Sequence, residues 1–337
     1  AGLLAGNPSS VPAALELADA LDAIGLYAEA VELYEHAEAV QRARQADWQA
    51  PAGLVVRHAN ALLNASRPAD AEALLAPAVE RSGDGGADLR SLLVEALEAA
   101  GRADEARRQV EAMQAAYRAR KDDSPALTVE RAWFALLTRG QADAALAWAR
   151  QAVAAGADGP LAQRVLGAAE LRAGQVDAGL KRLRPLVEQD VYAAVFVAEH
   201  CLASGDAPGA AQAVLAGAAR SRSGPAFRRL ADLARRAGVE IAPHPARRAA
   251  AEALGRLDRR LLEMGRTPAK FLAVTVQAER REVAPGEPVV VVVRLANTSP
   301  VAVPVGQWGL LSPTVALQVV IAGAGAERRF ANLPLAV

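Results

Sequence analysis

A thirteen-residue phrase occurs six times, and it constrains this chain more than any other feature. In GLYAEAVELYEHA (residues 25–37) the marked positions are Gly25, Tyr27, Ala30, Tyr34 and Ala37. The phrase returns as SRPADAEALLAPA (66–78), GRADEARRQVEAM (101–113), GQADAALAWARQA (140–152), GQVDAGLKRLRPL (174–186) and GDAPGAAQAVLAG (205–217). Its small middle residue falls at Ala30, Ala71, Ala106, Ala145, Gly179 and Ala210, at intervals of 41, 35, 39, 34 and 31 residues, with a mean of 36. A repeat period of roughly 20–50 residues signals a stacked array.

Each phrase follows a helix-period apolar stretch, such as LELADALDAI or LRSLLVEALEAA. The Gly suits a helix C-cap because it enters the left-handed region without a Cβ penalty. An Asp or Glu just beyond it favours the first turn of a second helix. The unit is therefore predicted as helix–turn–helix, with the small residue letting the two helices touch. One hairpin cannot bury both of its faces, so neighbours must stack. The long first interval predicts a longer second helix or an insertion near residues 43–51.

Composition agrees. Of 337 residues, 52% are apolar and only 4% aromatic, and Ala, the best helix former, dominates the apolar set. Lys+Arg and Asp+Glu are both 38, so there is no cationic surplus for coating nucleic acid or an anionic membrane. The one Cys excludes an internal disulfide and a multi-Cys zinc site. The Arg and Ala excess reads as GC-rich codon bias. The chain opens on Ala, and AGLLAGNPSS has neither the basic start nor the apolar core of a signal peptide. The uncharged run between Arg294 and Glu327 is long enough to cross a bilayer, but Pro300, Pro304, Pro313, Asn297, Gln307 and Gln318 interrupt it. It reads as short strands and turns, without a membrane span.

The Gly-x-Tyr-x-x-Ala-x-x-x-Tyr-x-x-Ala pattern of Gly25, Tyr27, Ala30, Tyr34 and Ala37 resembles the tetratricopeptide (TPR) repeat, as does the period. The resemblance covers residues 11–222. It weakens in the second copy, where Ser66 replaces Gly and Pro68 the aromatic, and in the sixth, which reads DAPGAA. The family's repeat-end proline is mostly missing; Arg42 stands there in the first copy. The resemblance implies a mainly α protein, a right-handed α-solenoid of about six hairpins over residues 1–222.

Residues 223–268 read as capping helices and linker. PAFRRLADLARRAG is one more helix, and residues 245–265 a long amphipathic one, with Pro243 and Pro245 breaking the chain between them. Arg247, Arg248, Arg256, Arg259 and Arg260 could form a phosphate-binding strip, but Glu252, Asp258 and Glu263 interleave, so a solvated capping face is the favoured reading. From residue 269 to 337 the period becomes two-fold or continuously β-branched. FLAVTVQAE, EPVVVVVRLA and PTVALQVVI are predicted strands, with turns at 284–287, 297–300 and 323–326. VAPGEPVVVVVRLANTS resembles the first hairpin of bacterial immunoglobulin-like sandwich domains. Residues 271–337 fall short of the ~100 residues such a sandwich needs, so an incomplete domain is expected, with VVVVV as an aggregation-prone edge.

No catalytic constellation is readable. His36, His58, His200 and His244 lack partners at i, i+4, and no HExxH, DxDxDG, GxGxxG or P-loop occurs in the needed context. His200 and Cys201 point about 100° apart on a helix; Cys201 reads as a buried structural thiol, and His36 as surface or interface. Gly323 and Gly325 read as a turn. No cofactor or metal is expected, and the chain reads as a non-enzyme.

In the resembled family the first helices line a concave groove that selects the partner. Carrying that register over gives Asp19 and Asp22, Asn60 and Asn64, Glu95 and Glu98, Glu130 and Phe134, Arg164 and Arg172, and Tyr192 and Glu199 for the six copies. Asn60 and Asn64, one turn apart, could read a peptide main chain. The carboxylates of the first four copies make that stretch acidic, so a basic protein or peptide ligand is expected. The basic residues of the chaperone-tail-binding members are absent here, so an acidic C-terminus is not expected in the groove. The plainer alternative is that these are solvated helix faces. The function that follows is a non-enzymatic interaction scaffold; alternatives are an accessory region of a larger envelope or secreted enzyme, or an envelope or secretion assembly factor. Pairing repeats with a sandwich leans towards the bacterial envelope or periplasm. The partner's identity and the oligomeric state are not encoded legibly.

Overall fold

The computed structural model describes residue 4 and residues 7–83, 86–119, 124–137, 142–284, 287, 289–303, 314–323 and 326–336. The repeat phrases sit on six helical hairpins: α1 (Val11–Ala23) with α2 (Tyr27–Arg44), α3 (Ala52–Asn64) with α4 (Pro68–Ser82), α5 (Ala87–Ala99) with α6 (Ala103–Ala119), α7 (Pro125–Leu137) with α8 (Ala142–Ala154), α9 (Pro160–Arg172) with α10 (Val176–Leu183), and α11 (Val191–Ala203) with α12 (Ala207–Arg220). The long first interval has both predicted causes: α2 runs for 18 residues, and a loop near Trp48 follows it.

The hairpin turns share one construction. Leu26 N–H donates to the Leu21 carbonyl at 2.9 Å, with Gly25 between them at φ 84°. This is the left-handed C-cap that ties off a helix's last carbonyls. The same closure recurs from Arg67 to Leu62, Arg102 to Leu97, Gln175 to Glu170 and Asp206 to Cys201, at 2.8 Å each. In the second copy a Ser takes the place of Gly: Ser66 is held at φ 59°. The fourth copy's turn, residues 138–141, lies outside the described residues.

The small residues form the seams. Ala30, Ala71, Ala106, Ala145 and Ala210 are all at most 2% exposed. At Gly179 the approach is tighter still: a Cβ there would come within 2.7 Å of the Gly167 carbonyl oxygen and of Leu171 Cγ. Ala and Gly here thus let helices approach to a distance that larger side chains would hold open.

The chain divides into two compact units. The first holds residues 19–31 and 50–247. Its main core runs without a break from Val129 on α7 to Ala234 on a further helix, α13 (Gly224–Ala237), and a smaller cluster joins Met113, Tyr117, Leu127 and Phe134. Cys201 is buried in the main core, and burial pushes its thiol pKa up, as befits a structural thiol.

The second unit holds residues 1–18, 32–49 and 248–337. The single amphipathic helix predicted over 245–265 is two helices, α14 (Arg247–Gly255) and α15 (Arg259–Arg266). The break falls at Asp258, whose carboxylate accepts from the Arg260 N–H at 3.0 Å and caps the second helix. Much of the arginine strip is paired: Arg248 with Glu252, Arg259 with Glu32 and Arg260 with Asp258. α15 lies against α2 and the segment before α1, where Gly265 closely approaches the Pro8 carbonyl. His36, read from sequence as surface or interface, is fully buried at this contact. Its Nε2 lies 2.6 Å from the Pro8 carbonyl oxygen, and Arg266 Nε donates to its Nδ1 at 3.2 Å. Together these bonds place the ring's one proton on Nε2.

The strands are β1 (Leu272–Ala278), β2 (Val291–Asn297), β3 (Thr314–Gly323) and β4 (Ala326–Ala336). β1 pairs antiparallel with β2, setting Val274 opposite Leu295, and β3 with β4, setting Val320 opposite Arg329 with an irregularity between Leu317 and Val319. Among the described residues these are two separate two-stranded ladders, in place of the two packed sheets an immunoglobulin-like sandwich requires. Val274 and Val276 remain 62% and 61% exposed, with no second sheet over them among the described residues. Asn297 forms the predicted turn at 297–300 by accepting from the Ser299 N–H. The turns predicted at 284–287 and 323–326 fall partly outside the described residues. Among the described residues no helix is long and apolar enough to cross a membrane.

Candidate partner groove

The first helices α3, α5, α7 and α11 turn one side towards a cavity of about 630 Å3. Seven of the twelve residues singled out from the sequence line it: Asn60, Glu95, Glu98, Glu130, Phe134, Tyr192 and Glu199. The cavity also contains something the sequence placed elsewhere. α13, expected among the capping elements, supplies one of its walls through Pro225, Arg228, Arg229, Asp232, Leu233 and Arg236.

The guanidinium of Arg228 is the centre of this arrangement. Its Nε and Nη2 donate to the two Glu95 carboxylate oxygens at 2.6 and 2.8 Å. Nη1 donates to Asn64 Oδ1 at 2.8 Å, and Nη2 also to Asn60 Oδ1 at 3.1 Å. Asn64 in turn donates from Nδ2 to Asp22 at 3.2 Å, and the Ser223 hydroxyl, at the start of α13, donates to the same carboxylate. Burial raises the Asp22 pKa, while the Ser223 and Asn64 hydrogen bonds and the Arg228 charge oppose the rise. Asp22, Asn60, Asn64 and Glu95 are thus brought together, with the two Asn side-chain oxygens and the Glu95 carboxylate directed at Arg228 on the chain's own α13.

The rest of the cavity carries aromatic rings and carboxylates beside the guanidinium groups of Arg229 and Arg236. Tyr117 donates to Glu130 at 2.7 Å and tilts against Phe134 at 5.6 Å. Trp133 meets Tyr192 edge to face at 4.6 Å. Burial raises the Tyr192 pKa. Glu98 is exposed at the cavity rim. The remaining candidates serve the walls. Asp19 pairs with Arg57 at 2.6 Å. Arg164 pairs with Asp190 at 2.7 Å and stacks over Trp133 and Tyr192 at 4.5 and 5.3 Å. Arg172 pairs with Glu199 at 2.6 Å and lies over Phe196 at 5.8 Å.

Sequence reasoning missed Arg228, Trp133 and the groove-facing role of α13. A signal was present: Arg228, Asp232 and Arg236 recur every four residues opposite Ala226, Leu230, Leu233 and Ala234, giving a charged stripe able to face an acidic groove. Among the described residues no group of three or more His, Cys, Asp or Glu side chains is placed to hold a metal ion.

No protein-family model and no curated protein sequence matches the chain. Among solved structures it is similar to a thermophilic TPR protein of Thermus thermophilus, at 22% identity and a TM-score of 0.41, over 57% of this chain and 100% of that one. It is also similar to a chain in the APC/C hetero-tetramer Cut9–Hcn1, at 15% identity and a TM-score of 0.30, over 64% of this chain and 49% of that one.

Proposed function

We propose that the chain is a non-enzymatic protein–protein interaction scaffold, and that the cavity bounded by α5, α7, α11 and α13 holds a basic peptide or protein segment. The observation that carries this is the composition of the cavity wall. Glu95 is neutralised by Arg228, and Asp88, Glu98, Glu130, Glu199 and Asp232 outnumber Arg229 and Arg236 in the same space, beside Tyr117, Trp133, Phe134 and Tyr192. Carboxylates over aromatic faces suit a cationic side chain, and the chain itself stacks Arg164 on Trp133. In this reading residues 1–222 form the binding array, 223–268 close it, and the β segment from 269 onward anchors it.

The test leaves Glu95 intact, because Arg228 depends on it. A fluorescein-labelled peptide with alternating Arg and Ala is titrated into the full chain and into a Glu98→Lys/Glu130→Lys variant. Charge reversal should weaken binding by at least about tenfold and flatten its salt dependence. Unchanged affinity in a variant that melts like the parent removes the groove from the account.

A further inference from the structure

α13 has a second side. Away from the groove, the α1–α2 turn, α13 and the run 239–244, which has no regular secondary structure, line an open cleft of about 590 Å3. Its floor is apolar, with Ile24, Phe227, Val239 and Ile241 each half-buried. Its charge is opposite to that of the groove: Arg222, Arg235 and Arg247 line it with His244, against the one carboxylate of Glu240. Arg235 is paired with Asp232 at 3.0 Å. Arg222 gives one N–H to the Ala242 carbonyl at 2.5 Å, which fixes the side chain without neutralising it. Among the described residues no carboxylate forms an ion pair with Arg222 or Arg247. Both charges act on Tyr27, whose hydroxyl donates to the Arg222 carbonyl at 2.5 Å.

We propose that this cleft binds an acidic peptide segment, its carboxylate received by Arg222 and Arg247 and a neighbouring bulky apolar side chain seated on Ile24, Phe227 and Ile241. A guanidinium pair with uncompensated charge beside an apolar floor supplies the two halves of that recognition. The backbone of the run 239–244 supplies a third. Glu240 and Ile241 make no backbone hydrogen bond among the described residues, so their N–H and C=O groups are available to an extended chain. The carboxylate is that of an Asp or Glu side chain within the segment, since the apolar floor lies beside the two guanidinium groups and seats a neighbouring residue of the same peptide.

A fluorescein-labelled octapeptide with Glu beside Phe, amidated at its C-terminus, is titrated into the full chain by fluorescence polarisation. Beside it run the same peptide with Gln for Glu, amidated, and the Gln peptide with a free C-terminus. The amidated Glu peptide should bind about tenfold more tightly than its Gln counterpart; a preference shown only by the free C-terminus overturns the side-chain assignment. Arg247→Glu, at an exposed position, should abolish the preference without moving the melting temperature, and Arg222→Gln should weaken it. The Glu98→Lys/Glu130→Lys groove variant should bind the acidic peptide as the parent does. Equal affinity for all three peptides, no binding of any, a preference that survives Arg247→Glu, or one lost in the groove variant overturns the proposal.

Discussion

Arg228 on α13 holds both carboxylate oxygens of Glu95 on α5, 133 residues away in sequence, through Nε at 2.6 Å and Nη2 at 2.8 Å. Fork-to-fork pairing of this kind is directional as well as strong, and both side chains are mostly shielded from water, at 17% and 29% exposure. The same guanidinium satisfies Asn60 and Asn64. One side chain thereby ties α13 to two earlier hairpins, and the groove is partly filled by the chain that builds it.

Removing Arg228 leaves acceptors on three residues, Asn60, Asn64 and Glu95, without their donor. Arg228→Ala should lower the unfolding free energy by about 2 kcal/mol. Glu95→Gln should cost less, since an amide oxygen still accepts. In a double-mutant cycle followed by urea denaturation the two losses should be clearly non-additive, with a coupling on the order of 1 kcal/mol. Additive losses would show that the contact contributes little to stability.

Ser66 occupies the left-handed turn position that Gly fills at residues 25, 101, 174 and 205. An L-residue there costs on the order of 1 kcal/mol in backbone sterics, while Gly loses more conformational entropy on folding. The balance favours Gly by a few tenths of a kcal/mol, so Ser66→Gly should raise the melting temperature by up to about a degree. A fall on substitution would mean that the Ser hydroxyl contributes something the backbone geometry does not show.

The seams invite a steric test. Gly179→Ala would place a methyl 2.7 Å from the Gly167 carbonyl oxygen and 2.9 Å from the Leu171 backbone nitrogen. Neither is the movable end of a side chain, so α9 and α10 must separate. Overpacking of this sort costs about 1–3 kcal/mol, even though Ala is the better helix former. Gly255→Ala, where a Cβ meets nothing within 4 Å, is the matched control and should be neutral or slightly stabilising.

Which of these features the sequence revealed follows from how local each one is. Ala30, Ala106 and Gly179 announce themselves through a small residue at fixed offsets from a turn, because hairpin geometry is set within about a dozen residues. The C-caps are legible for the same reason. Asp258 as a helix breaker was within reach, since it precedes two arginines in a capping position, but the apolar period across it is continuous and concealed the break. β4 was missed because Asn332 and Pro334 interrupt the β-branched run that marks strands. Arg228 and His36 lie at the other extreme. Their partners, Glu95 and Arg266, are 133 and 230 residues distant, and no local pattern reports which charged stripe will face which groove. The acidic register of Glu95, Glu98 and Glu130 was readable, whereas the cation that meets part of it was assigned to a cap.

His36 makes the fold sensitive to acid. The ring is fully buried, its Nε2 is committed to the Pro8 carbonyl and its Nδ1 accepts from Arg266. Burial is the main cause that lowers its pKa below 6.5, with the Arg266 charge adding to the effect and the Pro8 bond opposing it. The unfolded chain therefore takes up this proton at a higher pH than the folded chain, and stability falls as pH drops. The contribution of neutral His36 is fully present above the unfolded value near 6.5 and is lost as pH falls below it through the folded value. Protonation at Nδ1 would also oppose a second cation to Arg266. Urea midpoints measured between about pH 7.5 and pH 5 should decline for the parent by more than for His36→Gln, with a difference on the order of 1 kcal/mol. The carboxylates titrate alike in both proteins and cancel in the comparison. Parallel declines would mean that His36 carries its proton equally well in both states, and the buried contact between α2 and α15 would then lose its role as the acid-sensitive joint.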